Sequence, residues 1–73
     1  MRRFRRPDGR FYEIAEPTHD LLGDRVISTY HGSIYSRRGG VHIYLADHVS
    51  VDDIALARIA HGYVEVGQDR KGI

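Results

Sequence analysis

The clearest pattern in the chain lies over Val41–Leu45, where Val41, Ile43 and Leu45 alternate with His42 and Tyr44. A period of two puts the three aliphatic side chains on one face of a strand and the two rings on the other. Arg25–His31 is dense in β-branched residues (Val26, Ile27, Thr29) and ends on Tyr30 and His31, which predicts a second strand. Phe11–Ala15, with Tyr12 and Ile14 on one side and Phe11 on the other, predicts a third, closed by Pro17.

After Ser50 the period changes. Val51, Ile54, Ala55 and Ile59 fall at helical spacing and form an apolar stripe. The Ser50 hydroxyl is placed to cap the first turn, and Asp52 and Asp53 face the positive end of the helix dipole. Gly62 suits the left-handed residue that ends such a helix. Tyr63–Val66 reads as a short extended piece beside the sheet, and Gln68–Ile73 as a frayed end.

Between these elements, Pro7-Asp8-Gly9 is a turn signal. Thr18–Gly23 is a connection whose Leu21 and Leu22 are expected to tuck back onto the core. The elements add up to an α+β fold: a small antiparallel sheet of three to four strands with one C-terminal helix packed across it. Residues 1–73 form a single domain, divided into a basic N-terminal arm over 1–9, a core over 10–66 and a flexible tail over 67–73.

Composition narrows the chemistry. The absence of cysteine excludes disulfides and thiolate metal sites. No apolar run approaches a membrane span, and no hydrophobic signal region follows Met1–Arg6, so no membrane partner and a cytoplasmic location are expected. The net charge of +1 conceals a strong polarity. Residues 1–10 hold Arg2, Arg3, Arg5, Arg6 and Arg10 against Asp8 alone, while the rest of the chain is acidic. Such an end reads as an electrostatic foot for a polyanion or as a solubilising terminus.

Tyr30–Gly40 joins Arg37 and Arg38 to two aromatic rings and three glycines. Gly32, Gly39 and Gly40 suit a shaped connection better than a regular strand. At its tip the two arginines could grip a phosphate, and Tyr35, inside the loop, is expected to be exposed. The other tyrosines are needed for the core, because the chain has no tryptophan and two phenylalanines. The five histidines show no chelating spacing, so no metal or other cofactor is expected. Nothing matches a phosphate-binding P-loop. His31 beside Tyr30 could serve general acid–base work in a small nuclease, but no second acid or base stands at a telling distance.

The succession Gly9–Ile14 (Gly-Arg-Phe-Tyr-Glu-Ile), Asp20–Gly23 (Asp-Leu-Leu-Gly), His31–Gly40 and Gly62-Tyr63 resembles the bacterial branch of the WGR domain family, from about Arg10 to Val64. In that pattern His31 stands at the tryptophan, Gly32 matches, and Ser33 replaces the arginine. Ile34 matches, Tyr35 replaces a glycine, and Ser36, Arg37, Gly39 and Gly40 match again. In eukaryotic poly(ADP-ribose) polymerases with this domain, the tryptophan packs against a broken DNA end and the arginine joins neighbouring domains. The resemblance implies a WGR-like fold and a module that binds DNA. His31 could stack on a sugar or base, whereas Ser33 cannot make the arginine's contacts.

The leading expectation is a small non-catalytic nucleic-acid-binding module with DNA as its partner. Arg37 and Arg38 would contact phosphates, His31 and Tyr35 would stack, and Arg3, Arg5, Arg6 and Arg10 would add non-specific attraction. Engagement of five or six arginines predicts a slope of log K against log salt of roughly −4.5 to −5.4 on duplex DNA. The alternatives are a protein–protein interaction module acting as a homodimer, favoured by open sheet edges and many tyrosines, and a histidine-dependent nuclease using His31.

Overall fold

The computed structural model describes residues 1–68. Its elements in chain order are β1 (Arg2–Arg5), β2 (Arg10–Ile14), β3 (Thr18–His19), β4 (Arg25–Ser33), β5 (Ser36–Leu45), α1 (Val51–Ala60) and β6 (Val64–Gln68). The α+β class holds, with one helix among the described residues, but their sheet has six strands rather than three to four.

All strand pairings are antiparallel. β4 organises the sheet. β5 runs along one of its edges, pairing from Val26 to Ser33. The other edge is shared end to end by β3 at Arg25–Val26 and β2 at Thr29–Ser33. β1 follows β2, and β6 closes that side.

The register sorts the side chains. Tyr12 pairs with His31, Ile14 with Thr29, and Ile27 with Tyr44, so these share the face on which α1 lies. The core is built there from Phe4, Tyr12, Ile14 and Ile27 against Ile54, Ala55 and Tyr63. Thr29, fully buried, donates its hydroxyl proton to the His42 carbonyl at 3.1 Å.

α1 begins as its sequence dictates. The Ser50 hydroxyl accepts the Asp53 amide and the Asp53 carboxylate accepts the Ser50 amide, a reciprocal capping box. Gly62 follows the helix at φ +90°. The buried stripe is narrower than the spacing suggests. Ile54 and Ala55 are buried, Val51 packs at the margin, and Ile59 faces outward.

Four expectations need correction. Residues 1–9 are not an arm: Arg2–Arg5 is a strand between β2 and β6, and Phe4 is 0% exposed. One buried aromatic among arginines is enough to seat the segment, because β1 alternates Arg2 and Phe4 inward with Arg3 and Arg5 outward. Leu21 and Leu22 do not tuck in; they are 106% and 88% exposed. The Asp20 carboxylate accepts the Leu22 and Asp24 amides, both at 2.9 Å, so local polar bonds hold the loop and point its apex outward.

Gly32, Gly39 and Gly40 lie inside the β4–β5 ladder rather than in a loop. Their missing side chains make space. A Cβ at Gly40 would stand 2.9 Å from the His31 ring, and one at Gly32 would stand 2.7 Å from the Phe11 ring. The expected tail over 67–73 is divided: Gly67 and Gln68 belong to β6, and 69–73 lie outside the described residues. Among the described residues, no helix is long and apolar enough to cross a membrane.

Candidate nucleic-acid interface

Two of the cationic segments meet at one end of the sheet. The Ile34 amide, at the tip of the β4–β5 hairpin, donates to the Gly9 carbonyl in the β1–β2 turn at 3.0 Å. The Tyr35 ring lies against Gly9, where φ is +89° and a side chain would collide with it. Tyr35 is 81% exposed, as its place in the loop suggests.

Beside this junction is a cleft of about 880 Å3. It lies where α1, which packs on β2 and β6, leaves the His31 end of β4 and the facing part of β5 uncovered. Gly40, on the same face, leaves room for the His31 ring. His31, His42 and Tyr44 lie along β4 and β5, Arg10 and Arg38 enter from the strands, and Arg58 comes from the helix wall.

Arg58 is the group that sequence reasoning missed. Its guanidinium carbon lies 4.7 Å from the Tyr12 ring centroid and 6.0 Å from that of Tyr63. These two rings meet edge to face at 6.1 Å. Stacking on them buries the Arg58 Nε, which has no hydrogen-bond partner among the described residues. The available signal was its place one turn beyond Ile54, inside the buried stripe.

The electrostatics of the cleft are cationic. Among the described residues Asp8 is its one lining carboxylate, and it is shared by Arg6 at 3.5 Å and Arg10 at 3.6 Å. Among the described residues, Arg37, Arg38 and Arg58 have no salt bridge. Burial pushes the Tyr44 phenol above its ordinary pKa, the Tyr12 hydroxyl adds to this, and Arg58 opposes it. Tyr44 is therefore a neutral donor at physiological pH. Its ring lies 4.3 Å from that of His42.

The eight expected contact residues are not on one surface. Arg10, Arg38 and His31 line the cleft. Arg6 stands next to it, 5.6 Å from the Tyr63 ring. Tyr35 crowns the hairpin tip. Arg3 and Arg5 point to the opposite face, where Arg3 bonds Glu13 at 3.0 Å, and the period of two sends Arg37 to that face as well. Among the described residues, no group of three or more His, Cys, Asp or Glu could hold a metal ion.

Comparison with known proteins finds no match: no family model fits the chain, and no curated protein or solved structure matches it.

Proposed function

We propose that this chain is a non-catalytic, WGR-like nucleic-acid-binding module of the cytoplasm, with DNA as its first candidate ligand and the helix-side cleft as its contact surface. One observation carries the reading: Arg58, which has no salt bridge among the described residues, enters a cleft that also receives Arg10 and Arg38. A phosphate in the cleft would give these guanidinium groups a charge-assisted acceptor. His31 offers a ring for stacking on a sugar or base, and His42 and Tyr44 extend that surface along the strands. This arrangement binds by positioned charge and stacking, with no bond made or broken.

The split of the arginines between two faces lowers the expected salt dependence. Three or four cations on the cleft side give a slope of roughly −2.7 to −3.6 on duplex DNA. Chemical-shift mapping with short duplex, nicked and single-stranded DNA, repeated over a salt series, tests this. Shifts should gather on His31, Arg38, His42 and Arg58. No salt-dependent binding, or shifts confined to the Arg3–Arg5 face, would remove the proposal.

A further inference from the structure

The outer edge of β5 is the least protected boundary of the sheet. Proteins commonly blunt such edges with charges, prolines, bulges or very short strands. The opposite boundary has such devices: β6 carries Glu65, and its pairing with β1 is broken by a register shift at Arg3/Phe4. β3 is two residues long. Along β5, Gly39–Leu45 contains no Asp, Glu, Lys, Arg or Pro, and the register shift of the β4–β5 pair lies back at Gly32/Ser33.

The hydrogen-bond pattern shows which groups this edge presents. The Ala46 amide donates to the Arg25 carbonyl at 2.9 Å, so Ala46 turns its amide towards β4. Backbone groups alternate along an antiparallel strand, which turns those of Gly39, Val41 and Ile43 away from β4. The Leu45 carbonyl is taken by the His48 and Val49 amides at 3.1 and 3.4 Å, which sets the limit of the open edge. The same positions carry apolar side chains on the face away from α1: Val41 and Ile43 are each 59% exposed and Leu45 is 49% exposed.

We propose that β5 pairs antiparallel with β5 of a second copy of this chain across a two-fold axis at His42. A strand edge is matched best by another with the same spacing of donors and acceptors, and a two-fold makes that match reciprocal. In this register Val41 opposes Ile43 of the partner subunit, and Leu45 opposes Gly39 of the partner subunit. The pairing stands independently of nucleic-acid binding. It leaves the cleft open and sets the two clefts side by side on one face of a continuous sheet.

Sedimentation equilibrium of the full chain, from low micromolar to near-millimolar concentration, tests the pairing. The wild type should pass from monomer to dimer over that range. Val41→Lys and Ile43→Lys, both at exposed positions, should raise the dimer dissociation constant by roughly tenfold or more with the thermal midpoint nearly unchanged. Val64→Lys, on the opposite boundary, should leave dimerisation as it was. A monomer at every concentration, or a dimer indifferent to Val41→Lys and Ile43→Lys, overturns the proposal.

Discussion

Arg58 lies over Tyr12, its guanidinium carbon 4.7 Å from the ring centroid, and its Nε is buried without an acceptor among the described residues. Two effects of opposite sign follow for Arg58→Met. Loss of the cation–π contact costs about 0.5–1 kcal/mol, while removal of the unsatisfied donor returns about 1–3 kcal/mol. Methionine keeps an apolar stem on both rings. The variant should hold or raise the thermal midpoint, weaken DNA binding and make the salt slope shallower by about 1. A large fall in melting temperature would contradict this account.

Phe4 tests the standing of the first residues. It is fully buried within the core cluster, so Phe4→Ala should cost about 3–5 kcal/mol, much of the stability of a domain this small. Deletion of residues 1–5 should do the same, because it also strips β2 and β6 of their shared partner. Circular dichroism with urea titration reads both. A truncated chain with unchanged midpoint would restore the view of a dispensable arm.

The acid limit of stability involves Arg2, which bonds Glu65 at 2.8 Å and Asp52 at 2.9 Å. Chiefly through its hydrogen bonds, Arg2 holds the Glu65 carboxyl below the usual carboxylate range, against the opposing effect of burial. A carboxyl with a lowered folded-state pKa stabilises above its unfolded value, about 4.3, and that contribution is lost as pH falls through the folded value. Glu65→Gln should therefore cost about 1 kcal/mol at neutral pH. The difference from wild type should shrink as the pH falls below about 4, and urea midpoints at several pH values would show it.

Leu21 and Leu22 lie at the apex of a loop held by Asp20. Replacing both with serine should change stability by no more than about 0.5 kcal/mol. A loss of several kcal/mol would mean that these leucines pack after all.

The local chemistry of the elements was legible in the residues. Ser50 and Asp53 cap α1 by their own side chains, Gly62 ends it, and the alternation of β5 follows from the backbone, so a few neighbouring residues suffice to write each of them. The cleft was not legible in the same way. Arg10, Arg38 and Arg58 come from three elements, and their meeting depends on the β2–β4–β5 register and on how much of the sheet α1 covers.

An α+β class, a capped helix with a two-faced strand before it, and a cationic front end are written in short stretches of residues, because propensity, period and charge are properties of short segments. Tertiary structure alone decided that the arginines of the front end divide between two faces, that glycines make room for rings within a ladder, and that Val41 and Ile43 look outward while Tyr44 looks in. The reason is physical. Pairing partners and covering elements choose which face of a strand is buried, and that choice is settled between residues far apart in the chain.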